Sequence, residues 1–204
     1  VPNSRVHRGL LAAVAAALAY AVTVVVGRSL ARAGLAGQPV LACRFGLSAV
    51  VLTGVQRVRR GPLRPAPGER LRVPLLGAIY AGESAFFYAA LGRGTAGAVA
   101  LVFYGYPAIV AVAEVARGRM ALSGRLVAAL GLSVGGVLTV VAAGGEVSID
   151  RTGVLFAVGS AMTFTIYLVA GDVLVHRTDA VVRAAWTSGT AALASAVAAL
   201  VAGL

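Results

Sequence analysis

Val73–Gly92 reads VPLLGAIYAGESAFFYAALG: a continuous apolar run with one charged side chain, Glu83, and an arginine immediately outside each end, Arg72 and Arg93. A bilayer core about 30 Å thick is crossed by roughly 20 residues of helix. The same pattern repeats in both directions. Gly34–Gln56 carries only Arg44 and Gly94–Ala116 only Glu114, while Gly9–Gly27, Leu126–Gly145, Thr152–Gly171 and Ala184–Leu204 carry no charge. Backbone groups in lipid must be satisfied within the segment, so these runs are expected to be helices. The period-two alternation of a membrane barrel is not seen. The expected fold is therefore all-α: a polytopic membrane protein with about seven transmembrane helices.

Composition agrees. The chain is 59% hydrophobic and 12% charged, too few charges to furnish the surface of a soluble domain of this size. The net charge of +11 does not point to a nucleic-acid partner, because the basic residues fall in short runs between apolar stretches. They read as topology signals. Arg5, Arg8, Arg57, Arg59, Arg60, Arg64, Arg70, Arg72, Arg117, Arg119, Arg125, Arg177 and Arg183 lie on one side of the expected membrane, and only Arg28, Arg32, Arg93 and Arg151 on the other. The richer side is expected to be cytoplasmic, which puts the N-terminus inside and the chain in the cell membrane. Arg5 and Arg8 before an apolar run loosely resemble a secretory signal, but the run is long for one. The loop Arg57–Arg72, rich in Arg, Pro and Gly, is expected to be a solvated connector able to touch anionic lipid.

Three ionisable residues fall within spans, where charge is costly and often functional. Glu83, near the middle of its span, is expected to be neutral, paired or in a water-filled cavity, either as a proton or substrate site or as a protonated carboxyl bonded to a neighbouring helix. Arg44 has two readings, a structural partner for Glu83 or a contact for an anionic solute. Glu114, three residues before Arg117, is expected to form an interfacial ion pair. Tyr104, Tyr106 and Pro107 form a further candidate: Pro107 frees a backbone carbonyl beside two hydroxyls, which suits either the wall of a polar cavity or a simple kink.

Enzyme chemistry is not expected. Every basic residue is Arg, so Schiff-base chemistry on Lys is excluded. Gly131-Leu132-Ser133-Val134-Gly135 matches a hydrolase elbow, but it lies inside a span and reads better as small-residue packing. Gly92-Arg93-Gly94-Thr95 lacks the Lys of a phosphate loop. His7, His176 and Cys43 make no metal site, and no cofactor is expected. Cys43 is expected to pack as a small apolar residue.

The order of these features resembles the EamA-type permeases of the drug/metabolite transporter superfamily. Gln38-Pro39-Val40 followed by Arg44-Phe45 is similar to the start of that family's second helix. Tyr88–Leu91 with the short turn to Ala98 is similar to its link between helices three and four, and Tyr106-Pro107 to its helix-four proline. Leu126–Val141, with Gly131, Gly135 and Gly136, resembles helix five. Gly153–Ala170, with Ala161 and Tyr167, resembles the opening of its second repeat, and Trp186 the start of the helix after it. The resemblance implies two five-helix repeats of inverted orientation around a midplane site: a first repeat over 9–145 and, over 152–204, two helices of the second, an incomplete inverted repeat. The turn Arg117-Gly118-Arg119-Met120 departs from the family in lacking an acidic residue.

The resemblance implies proton-coupled efflux of a small metabolite or drug-like solute, with Glu83, Arg44, Tyr104, Tyr106 and Pro107 at the site. The partners are then the lipid bilayer, the solute and protons, with a homo-oligomer as a further option. The alternative expectation is a truncated, non-transporting membrane protein acting at most as an interaction partner.

Overall fold

The computed structural model describes residues 37–121, 123–143 and 147–203, together with residues 14, 18, 22, 26, 29, 30, 34 and 36. Of the expected first span, Gly9–Gly27, only residues 14, 18, 22 and 26 are described, and the break at Gly144-Gly145 lies outside the described residues. Residues Gly37–Leu204 form one compact unit. Its helices are α1 (Gly37–Val58), α2 (Arg72–Leu91), α3 (Ala96–Phe103), α4 (Tyr106–Ala116), α5 (Gly124–Ala143), α6 (Arg151–Leu174) and α7 (Ala180–Val201). Among the described residues the only extended pairing is an isolated bridge between Gly94 and Ile149.

The fold is that of a polytopic membrane protein. α1, α2, α6, α7 and the combined α3–α4 segment Ala96–Ala116 are each long and apolar enough to cross a bilayer, and α5 is apolar over Gly124–Gly136. Large apolar side chains point outward, among them Leu47 and Val50 on α1, Leu155 and Met162 on α6, and Leu193 and Leu200 on α7. In water such a surface would be a liability, whereas in lipid it is the solvated face. Cys43 also lies on the exposed side of α1. It does not pack as expected, because Leu41 and Phe45 on either side of it take the buried positions.

Local chemistry sets the helix limits. Asp179 accepts from the N–H groups of Val181 and Val182 and so starts α7 at Ala180. The apolar pattern alone puts that start at Ala184. Arg183 sits in the first helical turn instead of the loop, and its guanidinium donates to the Val175 carbonyl at 3.4 Å. Asp150 caps α6 through the Gly153 N–H at 2.6 Å. After α4, Gly118 adopts φ +67°, the left-handed conformation that suits glycine at a helix end.

In space α1 packs on α7, α2 lies against both α6 and α7, and α3 and α4 pack on α6. Lipid gives no hydrophobic reason for helices to associate, so close approach of small residues does the work. Gly189 on α7 faces Ala49, and Gly46 on α1 faces Ala192. α2 comes close to α7 at Gly77, where a Cβ would stand 2.7 Å from both the Thr187 carbonyl oxygen and the Thr190 Cβ.

Both ends of α2 are tied across the bundle. At the arginine-rich end, Glu69, just before α2, is 2% exposed. Its carboxylate accepts from the N–H groups of His176, Arg177 and Thr178 at 3.1, 2.9 and 2.9 Å and from the Thr178 hydroxyl at 2.6 Å. The same hydroxyl accepts from Ala66 N–H. At the opposite end, Thr95 N–H donates to the Ser148 carbonyl at 2.7 Å and Asp150 N–H to that of Arg93 at 3.1 Å. The Arg93–Asp150 side chains add a half-exposed ion pair at 3.6 Å.

Three substitutions test these contacts through stability in detergent. Gly77→Ala should lower it by about 1–3 kcal/mol through overpacking. Gly82→Ala, with nothing within 4 Å of the new Cβ, should leave the thermal midpoint unchanged or slightly raised. The Thr178 hydroxyl, opposed by burial and reinforced by the three N–H groups, lowers the Glu69 carboxyl from an ordinary 4.5 to about 2. A lowered folded-state value means that the contribution is complete above about pH 4.5 and is lost as pH falls through about 2. Glu69→Gln should therefore be less stable than wild type at neutral pH, with a gap that closes across that acid window in thermal melts.

Candidate functional site

Glu83 lies on the face of α2 turned toward α6 and is 4% exposed. A carboxyl so placed needs partners, and two serines supply them. Ser160 of α6, itself fully buried, donates to Oε1 at 2.9 Å, and Ser84 donates to Oε2 at 3.0 Å. Glu83 thus joins two helices 77 residues apart in the chain. Neither serine was singled out by the sequence. Ser160 sits in the small-residue run Gly159-Ser160-Ala161, which is compatible with packing alone.

Arg44 lies on α1 beside Phe45, whose ring meets that of Tyr80 on α2. Among the described residues it makes no direct ion pair with Glu83. Its guanidinium lies 5.2 Å from the centre of the Phe45 ring. Tyr80, three residues before Glu83 and so on the same helical face, is the link between the two charged groups. That spacing was a usable signal in the sequence.

From Phe45 a line of aromatic rings crosses the bundle. Phe45 contacts Tyr80 at 5.3 Å between centroids, Tyr80 contacts Tyr167 at 5.1 Å, Tyr167 contacts Phe164 at 5.9 Å, and Phe164 meets Tyr106 edge-on at 4.8 Å. Such offset and edge contacts are the favoured ring geometries. The arrangement brings Glu83, Arg44 and Tyr106 onto one connected wall built from α1, α2, α4 and α6.

Tyr104 and Pro107 occupy a different position. The α3–α4 segment is interrupted at Tyr104-Gly105, and Pro107 lies in the first turn of α4, where a missing N–H costs no helical bond. Tyr104 is 38% exposed and touches Phe103 edge-on. It stands at the break and joins the ring cluster through Phe103, which contacts Tyr106 at 5.3 Å and Phe164 at 5.5 Å. Glu114 and Arg117 form an ion pair at 2.8 Å near the end of α4, away from this cluster.

The Glu83–Ser160 bond predicts energetic coupling between α2 and α6. Ser160→Ala should cost about 1–3 kcal/mol, because it strips a partner from a buried carboxyl. Combined with Glu83→Gln, the loss should be clearly smaller than the sum of the single changes in a double-mutant cycle of thermal stability. Additive losses would mean that the bond carries no coupling.

The sequence model of the EamA-like transporter family matches residues 7–142. No curated protein and no solved structure matches the chain.

Proposed function

Because the chain belongs to the EamA-like transporter family, we propose that it is a permease that exports a small metabolite or drug-like solute across the cytoplasmic membrane by proton-coupled alternating access. The observation that carries this reading is Glu83, a buried carboxyl whose direct hydrogen bonds come from its own helix and from α6. As a carboxylate it accepts from both serines. Once protonated it becomes a donor and loses part of that capacity. Proton binding therefore biases the α2–α6 seam toward a second arrangement, which is the thermodynamic content of coupling.

In this reading Arg44 is the counter-charge whose pull on Glu83 weakens when the proton arrives, or the contact for an anionic group of the solute. Tyr106 supplies the wall. Tyr104 stands at the break in α3–α4 and Pro107 opens α4 just beyond it, where backbone carbonyls can face a cavity. The repeat organisation that accompanies it is a first five-helix repeat over 9–145, in line with the family match over 7–142, and two helices of the second over 152–204. The arginine asymmetry supports a cytoplasmic N-terminus.

Proteoliposomes carrying the full chain, with an imposed pH gradient and a broad panel of labelled metabolites, test the proposal. Wild type should show gradient-driven flux of at least one solute. Glu83→Gln should reduce it by about tenfold or more and flatten its pH dependence. Unchanged flux and pH profile in Glu83→Gln would remove the coupling role. Fluxes identical with and without protein across the panel would sink the permease reading itself.

A further inference from the structure

A cleft of about 420 Å³ opens between α1 and α7 at the arginine-rich end of the bundle. Thr53 and Arg57 of α1, Arg64 of the loop, and Gly189 and Leu193 of α7 are among the residues that line it, and Leu193 is exposed. Trp186 forms one wall, and its indole N–H donates to the Leu63 carbonyl at 2.9 Å, which holds the loop carrying Arg64 over the cleft. A second cleft of about 540 Å³ lies beyond Leu63 and Arg64, which it shares, and adds Arg70 and Arg177.

Among the described residues every acidic side chain is engaged elsewhere. The chain holds 18 basic residues against seven acidic ones. Glu114, Asp172 and Asp150 are paired with Arg117, Arg119 and Arg93. Glu69 and Asp179 are engaged by backbone N–H groups, and Glu83 is buried between serines. Glu146 lies outside the described residues. Among the described residues Arg57, Arg64, Arg70 and Arg177 form no ion pair.

We propose that the cleft between α1 and α7 binds the phosphate headgroup of an anionic diacyl phospholipid, with Arg57 and Arg64 on the phosphate and an acyl chain laid along Leu193. Each part of the cleft fits a part of that ligand. Two guanidinium forks suit a phosphate ester. An indole fixed at the charged end of two spanning helices is the usual side chain at headgroup level. The trough runs into the lipid-exposed faces of α1 and α7, where Val50 and Leu193 are each 70% exposed, so an acyl chain follows it without leaving the bilayer. A soluble phosphate would engage the arginines but leave the apolar trough empty. The site is separate from Glu83 and stands whether or not the protein transports.

The test uses the full chain in mild detergent, with native mass spectrometry and thermal melts against phosphatidylglycerol, phosphatidylcholine and inorganic phosphate. Wild type should retain and be stabilised by phosphatidylglycerol, and inorganic phosphate at equal concentration should not displace it. Arg57→Gln combined with Arg64→Gln should weaken that binding by about tenfold or more. Arg59→Gln combined with Arg125→Gln removes the same charge outside the cleft and should change it by less than about twofold. Equal losses in the two pairs would reduce the effect to general surface charge, no preference for phosphatidylglycerol over phosphatidylcholine would remove the headgroup site, and displacement by phosphate would assign the site to a soluble anion. Each of these outcomes overturns the proposal. Photo-crosslinking of wild type with a photoactivatable phosphatidylglycerol gives a readout that needs no variant. Labels should map to 49–64 and 185–193, and labels only elsewhere would equally refute it.

Discussion

Helices in a bilayer gain no hydrophobic free energy by leaving lipid for one another, and everything in this bundle answers to that constraint. α2 is where it is met. At Gly77 the absence of a side chain lets α2 come against the α7 backbone. Six residues further along, Glu83 reaches Ser160 on α6. The first contact supplies dispersion at close range. The second satisfies a polar group that lipid cannot solvate. With α2 held between α6 and α7, the rest of the described bundle has a frame to pack on.

The ties at the two ends of α2 differ in chemistry. At the arginine-rich end a single carboxylate, Glu69, gathers three N–H groups and a hydroxyl from the α6–α7 connection. At the other end the tie is mostly backbone, through Arg93, Thr95, Ser148 and Asp150, with only a loose ion pair beside it. The Glu69 tie depends on a group that titrates in acid, whereas the opposite tie keeps its backbone bonds at any pH. Between them lies a buried polar centre, Glu83 with Ser84 and Ser160, beside a line of rings that runs through Phe45, Tyr80 and Tyr167.

Much of this was legible before any coordinates. Uncharged runs of spanning length bounded by arginines named the helices, and Glu83 drew notice because a carboxylate at mid-span is costly. Its partners did not draw notice. Serine in a span is tolerated in many packing roles, so Ser160 and Ser84 carried no signal of their own, whereas the spacing of Tyr80 three residues before Glu83 already put it on the same helical face. Glu69 was hidden for a different reason: an acidic residue among arginines and prolines reads as a solvated loop charge, and only the return of residues 176–178 buries it. The start of α7 was set four residues late because Arg183 looked like the end of a loop, when Asp179 caps the helix ahead of it.

The sequence by itself determined that this chain lives in a membrane, roughly where it crosses, and, through the order of its motifs, that it belongs with the EamA-like transporters. Those are properties of single segments, fixed by transfer of side chains into lipid and by the length needed to span it. Which helices meet was decided only by the tertiary structure, because association in lipid turns on ångström-scale complementarity between small residues and on paired polar atoms that stand far apart in the chain. Gly77 against Thr187, Glu83 against Ser160, and Arg57 and Arg64 across a cleft from Trp186 are consequences of that second kind of specificity.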